Sequence, residues 1–148
     1  FNIWQDAEAA KIVTESGLEN IIYVGWSACL GDAMLNPQEI EKIRTGSEIG
    51  KFAIDCNKNL LEMNRERFGD DYLDMADPSA VAAALYPECI AQCNKYYGEV
   101  DVTNGPSYGN VLVDFNNVTG KTPNVYICSK LHADKYKAYI YKTLRIDV

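Results

Sequence analysis

The chain of 148 residues is 47% hydrophobic and 24% charged, which is typical of one globular domain with a substantial core. Its formal net charge of −7 argues against nucleic-acid binding, since no large cluster of Lys and Arg offsets the acidity. No apolar run approaches the roughly 18 residues that a membrane span requires. We therefore expect neither nucleic acid nor a membrane as a partner.

The first part of the chain predicts a helix followed by a strand. The helix is expected over residues 6–16, because Asp6 can cap its start and Gly17 can end it. Its apolar stripe would consist of Ala9, Ile12 and Val13. The apolar run Asn20–Trp26 then indicates a buried strand, so that this part makes half of an α/β unit.

The middle of the chain predicts helices. Asn36-Pro37-Gln38-Glu39 is a helix start, with Asn36 as the cap and Glu39 closing a capping box, and this helix is expected to reach Arg44. The longest helix is expected over residues 47–68, ended by Gly69. Its apolar face would comprise Ile49, Phe52, Ala53, Cys56, Leu60 and Met63.

Asp77-Pro78 begins another helix, expected over Ser79–Tyr86, and Asp77 has two interpretations. The ordinary one is a helix cap, because an Asp directly before a helix often accepts a hydrogen bond from a backbone N–H. The other is a metal ligand. Hard cations such as Ca²⁺ require several oxygen ligands, and one carboxylate cannot form such a site alone.

Three strands and a helix complete the predicted elements. The strands are expected over residues 94–102, 110–115 and 124–131, separated by glycine and proline, and the helix over Ala133–Leu144. The order of elements indicates an α/β fold with a mostly helical middle. The strand at 20–26 cannot form a sheet alone and needs partners from elsewhere.

Other residue types offer little chemistry. His132 is the single histidine, and we expect it in a surface or capping role, since no Ser- or Cys-nucleophile motif accompanies it. No phosphate-binding glycine loop occurs. An odd number of cysteines without a C-x-x-C pair indicates free thiols rather than a zinc site. These cysteines are Cys29, Cys56, Cys89, Cys93 and Cys128.

The compartment is not fixed by the sequence. No signal-peptide pattern opens the chain, which favours a cytoplasmic location. The glycosylation sequon at Asn117 keeps a secreted location open, although such triplets are common by chance.

Several segments, in order, resemble those of one known family. "FNIWQDAEAAKIV" is similar to a family segment that reads Glu-Phe-Asn, an aromatic residue and Asp-Pro-Glu-Ala-Ala. "IIYVGW", "LNPQEIEKIR" and "NRERFG" match the strand and helices that follow. "ADPSAVAAALYPE" resembles a segment that usually reads His-Asp-Pro, and "GNVLVDF" and "GKTPNVYICSKLHADKYKAYI" resemble the terminal strands and helix. Together the segments resemble the C-terminal half of the inosine–uridine preferring nucleoside hydrolase family.

The resemblance implies a fold and an activity. The fold would be α/β with a mainly parallel sheet, and residues 1–148 would be the C-terminal part of a single domain. The activity would be hydrolysis of the N-glycosidic bond of ribonucleosides to ribose and base, with a Ca²⁺ cofactor that binds the ribose and the attacking water. Asp77 would ligate Ca²⁺ and Asn2 would bind the ribose. A homo-oligomer is expected.

The resemblance also implies that this chain holds no catalytic residue of its own. The Asp-rich motif that supplies most Ca²⁺ ligands and the catalytic base belongs to the family's N-terminal half, so that half, or a companion chain, is an expected partner. Ala76 stands where many members have a His that protonates the leaving base, and "WSACLGD" replaces a usual pocket loop. The alternative is therefore a non-catalytic homologue that acts as a binding or structural subunit.

Overall fold

The computed structural model describes residues 1–147 and divides the chain into two compact units. The first, here called the sheet unit, comprises Phe1–Tyr23 and Cys93–Cys128; the second, the helical unit, comprises Val24–Gln92 and the residues from Ser129 onward. Val148, which the predicted domain 1–148 includes, lies outside the described residues. No helix among the described residues is both long enough and apolar enough to cross a membrane.

Seven α-helices and four strands are present in residues 1–147. The helices are α1 (Asn2–Gln5), α2 (Ala7–Glu15), α3 (Pro37–Gly46), α4 (Glu48–Asp55), α5 (Lys58–Phe68), α6 (Ala76–Leu85) and α7 (Ala133–Thr143). The strands are β1 (Ile22–Val24), β2 (Ile90–Val100), β3 (Val111–Asp114) and β4 (Val125–Leu131). The α/β class predicted from the sequence is thus confirmed.

The strands form one sheet in the order β1-β4-β2-β3, so β1 obtains the partner that it was expected to need. β2 and β3 pair antiparallel, with Tyr97 opposite Asp114 and Val100 opposite Val111. β2 and β4 also run antiparallel, because hydrogen bonds join Asn124 to Tyr96 and His132 to Cys89. With these antiparallel pairs the sheet is mixed.

Asn124 connects two elements of the sheet unit. Its side chain accepts a hydrogen bond from the Gly98 N–H at 2.8 Å and donates to the Gly98 carbonyl at 2.9 Å, as a neighbouring strand residue would. It also donates to the Thr14 carbonyl in the last turn of α2 at 3.2 Å. One amide therefore fixes the end of α2 against β2.

Local capping signals give several helix boundaries correctly. Asp6 accepts a hydrogen bond from the Ala9 N–H, and Asn36 and Glu39 form the complete capping box. Gly69 ends α5 in the left-handed conformation, at φ +66°. Each of these signals acts within four residues, so it operates whatever the rest of the chain does.

The prediction of a single long helix over residues 47–68 is wrong, because this segment forms two helices. The Asn57 side chain donates to the Ala53 carbonyl at 2.8 Å, while the Asn57 backbone N–H turns to the Ile54 carbonyl. The side chain thus takes the acceptor that the helical N–H would use. Helix α4 ends at Asp55 and α5 begins at Lys58.

Three predictions of burial also need correction. Residues Ile12 and Val13 of the predicted α2 stripe are 70% and 49% exposed, and α2 instead buries Ala7 and Thr14. Phe52 of the predicted α4 face is 72% exposed, and β1 is only partly covered. A pattern identifies an apolar face, but burial also requires a neighbouring element to cover it.

Candidate functional site

Asp77 is the second residue of α6, in the helical unit, and it is not the helix cap. The cap position is occupied by Met75, which provides no side-chain hydrogen bond. The capping interpretation is therefore wrong: the helix begins at Ala76, before the proline, instead of after it. A carboxylate in the first turn is still favoured there, because the amino end of a helix is electropositive.

The Asp77 carboxylate is available to a ligand. The residue is exposed, and within the described residues its side chain has no hydrogen bond or ion pair. Asp134 occupies the equivalent position in α7 and is also exposed, although no functional role is expected for it. Exposure in the first helical turn is thus a property that Asp77 shares with another residue of this unit.

The backbone that leads to Asp77 is held at successive residues. Leu73 exchanges two hydrogen bonds of 2.9 Å with Leu35, one from each N–H to the other carbonyl. Tyr136, whose side chain is fully buried, donates its hydroxyl to the Met75 carbonyl at 3.4 Å. Burial raises the pKa of the Tyr136 phenol above its usual value, so it remains a donor throughout the physiological pH range.

Asp74 is a buried carboxylate that the sequence did not single out. It is only 7% exposed, and its two oxygens accept from the Trp26 indole N–H at 2.5 Å and from the Asn64 amide at 3.0 Å. Asn64 also donates to the Tyr72 carbonyl at 3.1 Å. No local sequence signal reveals this cluster, because its members are separated by 10 and 48 residues.

Ala76 and the loop after β1 have definite conformations. Ala76 is exposed, and its carbonyl accepts a hydrogen bond from the Ser79 hydroxyl at 2.6 Å. Its methyl side chain offers no proton to a leaving group. The "WSACLGD" loop forms two 3₁₀ turns, Trp26–Cys29 and Gly31–Ala33. Burial, followed by the charge of Asp74, raises the pKa of the Cys29 thiol to about 11.

His132 is exposed and occupies the cap position of α7 without a side-chain capping bond. The expected surface role is confirmed, while capping is limited to its backbone. Cys29, Cys56, Cys89 and Cys93 are free thiols, as expected.

Asn2 lies in the sheet unit, as the first residue of the short helix α1, which the sequence did not predict. Its side chain is exposed, and within the described residues it has no hydrogen-bond partner. Helix α1 is placed by the loop between β2 and β3. A side chain at Gly109, where φ is +79°, would come within 2.7 Å of the Trp4 Cα atom. The Tyr108 hydroxyl of the same loop donates to Glu8 of the following helix, α2, at 2.7 Å.

The same loop is organised by Asp101, which accepts hydrogen bonds from the Thr103 N–H, the Thr103 hydroxyl and the Ser107 hydroxyl. These bonds, chiefly the one from Ser107, lower the pKa of the Asp101 carboxyl. Gly109 and Asp101 were not predicted to support a site. The available signal was the run of turn-forming residues in "TNGPSYGN", which indicates a structured turn but not what packs on it.

The two predicted site residues belong to different units: Asn2 to the sheet unit and Asp77 to the helical unit. Among residues 1–147, no group of three or more His, Cys, Asp or Glu side chains could hold a metal ion. Asp77 has the hard oxygen ligand that suits Ca²⁺ or Mg²⁺. It fits as one member of a ligand set, and the described residues alone do not complete that set.

Comparison with known proteins agrees with the sequence resemblance. The family model of inosine-uridine preferring nucleoside hydrolases matches residues 1–138. Pyrimidine-specific ribonucleoside hydrolase RihB of Escherichia coli O157:H7 is 27% identical over 146 residues, covering 98% of this chain and 46% of that protein. The chain thus spans about half the length of this relative.

Solved structures share the fold. A plant nucleoside hydrolase, the PpNRh1 enzyme, superposes with a TM-score of 0.83 at 20% identity, covering 97% of this chain and 46% of that one. A purine-preferring ribonucleoside hydrolase from Gardnerella vaginalis gives a TM-score of 0.78 at 22% identity, covering 97% and 45%. Since the family model also matches most of the sequence, this chain belongs to the inosine-uridine preferring nucleoside hydrolase family.

Proposed function

We propose that this chain contributes one part of a ribonucleoside hydrolase that cleaves the N-glycosidic bond to give ribose and a free base. The observation that carries the proposal is the match of the family model to residues 1–138. The exposed Asp77 carboxylate in the first turn of α6, without a partner among the described residues, agrees with it. The relatives are a ribonucleoside hydrolase and a nucleoside hydrolase by name, and the chain covers about half of each.

The proposed cofactor is Ca²⁺, with Asp77 as the one ligand from this chain. The ion would be coordinated by the oxygens of the ribose hydroxyls and would lower the pKa of the attacking water. The remaining ligands and the catalytic base would come from the part of the relatives that this chain does not cover, either in the same protein or in a companion chain. Homo-oligomerisation is part of the same proposal.

Asn2 is proposed to bind the ribose. Its amide can both donate to and accept from sugar hydroxyls, and its side chain is exposed and uncommitted within the described residues. Hydrogen bonds to the sugar would favour the reaction if they strengthen as positive charge develops on the ribose. Ala76 cannot protonate the departing base, so the proposal assigns no leaving-group acid in this chain.

The experiment is base release from inosine, uridine and guanosine by the complete protein, with and without added Ca²⁺. Asp77→Ala is expected to abolish Ca²⁺-dependent release. Asp134→Ala is the matched control, because it removes an exposed carboxylate from the same position of another helix and loses the same dipole interaction, about 0.3–1 kcal/mol. Unchanged activity in Asp77→Ala would contradict the assignment.

The second candidate is a non-catalytic homologue that binds nucleosides or serves as a structural subunit, and the inert methyl of Ala76 is the observation that favours it. The same assay separates the two. Base release by the complete wild-type protein excludes this candidate, whereas calorimetric binding of inosine without any release supports it.

A further inference from the structure

We infer that Asp74 is a positioning residue: clamped between Trp26 and Asn64, it fixes the backbone from which Asp77 presents its carboxylate. This inference rests on the proposed role of Asp77 as a ligand. Asp74 itself is buried, so it acts through the backbone that leads into α6 and not through contact with a substrate.

Two neutral donors satisfy the buried carboxylate of Asp74. A buried carboxylate is costly unless hydrogen bonds satisfy it, and Asp74 is 7% exposed. Each of its two oxygens has one donor, from Trp26 at 2.5 Å and from Asn64 at 3.0 Å. Both donors are neutral, so their bonds orient the carboxylate without forming an ion pair. Two donors on the two oxygens restrict the rotation of the carboxylate and tie its backbone segment to Trp26 and Asn64.

The indole of Trp26 is fixed by its hydrogen bond and not by burial. Trp26 is 58% exposed although its N–H bonds to a buried oxygen. Its ring is therefore not held by burial in a core. Since Trp26 opens the first 3₁₀ turn of the loop after β1, the bond joins that loop to the start of α6. Asn64 joins the same carboxylate to α5.

The clamp lies close to Asp77 along the chain. Asp74 precedes Asp77 by three residues, and the intervening Met75 and Ala76 carbonyls are also bonded, to Tyr136 and Ser79 respectively. The segment before Asp77 is therefore fixed at successive residues, while the Asp77 side chain remains uncommitted. A fixed backbone with an uncommitted carboxylate favours metal binding, because the entropy of ordering the backbone is lost before the ion binds.

The test is calorimetric titration of the metal-stripped complete protein with CaCl₂ alone, without nucleoside. Asp74→Asn preserves the shape but turns an NH₂ group toward one of the two donors, so one bond of the clamp must break. We expect the Kd for Ca²⁺ to rise about 10–100-fold, as for other residues that orient metal ligands. Asp71→Asn, the same change at an exposed neighbouring residue, should leave the Kd unchanged.

A second variant guards against a simple folding defect. Trp26→Phe removes one donor and keeps an aromatic ring, and it should also raise the Kd. The double variant Trp26→Phe with Asp74→Asn should raise the Kd by less than the product of the two single effects, because both changes act on the same clamp. A purely structural role would lower the thermal midpoint of the metal-free protein without changing the Kd of the folded fraction.

The outcomes distinguish the two proposals. Wild-type Ca²⁺ binding in both Asp74→Asn and Trp26→Phe, with binding lost in Asp77→Ala, overturns the role of Asp74 and leaves the proposed function intact. Wild-type Ca²⁺ binding in Asp77→Ala overturns the proposed ligand itself. Weakened binding in the clamp variants and lost binding in Asp77→Ala support both.

Discussion

Replacing Gly109 by alanine tests how the β2–β3 loop places helix α1. Two costs are expected. The left-handed backbone at φ +79° is unfavourable for a residue with a Cβ atom by about 1–2 kcal/mol. The new Cβ would also lie 2.7 Å from the Trp4 Cα atom. Restoring an ordinary carbon–carbon separation requires a displacement of about 1 Å.

The second cost resembles overpacking, which typically destabilises by about 1–3 kcal/mol. Together the two predict that Gly109→Ala lowers the free energy of unfolding by about 2–5 kcal/mol. Gly120 provides the control, since its φ is +64° and a Cβ there would meet nothing within 4 Å. Gly120→Ala should therefore incur only the backbone cost, about 1–2 kcal/mol.

The assay is urea unfolding of the complete protein, with both variants compared to the wild type. The displacement should also move Asn2, which lies two residues before Trp4 in α1, and so raise the KM for a nucleoside if Asn2 binds ribose. A misplacement of about 1 Å can cost on the order of 100-fold in rate. Equal unfolding free energies for Gly109→Ala and Gly120→Ala would refute the close approach of the loop to α1.

Two further predictions concern titratable groups. At pH 8 the buried Cys29 thiol, whose pKa is raised to about 11, should react far more slowly with a thiol reagent than the exposed Cys56 thiol. Mass spectrometry of the labelled peptides measures the two rates, and equal rates would contradict the burial of Cys29. Asp114 accepts hydrogen bonds from Thr119 and from the Val118 N–H, which lower its carboxyl pKa. Because the folded pKa lies below the unfolded value of about 3.9, its contribution to stability is present above that value and is lost as the pH falls through the folded pKa. The Asp114→Asn variant should therefore lose less of its free energy of unfolding than the wild type as the pH falls. An unchanged acid unfolding curve would count against these hydrogen bonds.

The site was only partly predictable. Asp77 and Asn2 were assigned from the family resemblance, and the structure shows that both are exposed and uncommitted within the described residues. Asp74 was not predicted, although it has the more specific environment. Its partners Trp26 and Asn64 lie on separate elements, and only folding brings their donors to one carboxylate.

Short-range chemistry determined the helix boundaries. The Asp6 cap, the Asn36–Glu39 capping box and the left-handed Gly69 were read correctly because each depends on atoms no more than four residues apart. The α/β class followed from the order of helices and strands. The sequence pattern was also specific enough to indicate the family, which residues 1–138 match.

Only the tertiary structure decided which strands pair, which apolar faces are covered and which carboxylate is buried. The register of the antiparallel pair β2–β3 depends on contacts between two separate strands, and no periodicity in either strand encodes it. Phe52 is apolar and helical in pattern but exposed, whereas Asp74 is charged but buried. Burial is a property of what packs against a residue, so it could not be determined from the residue and its neighbours in the sequence alone.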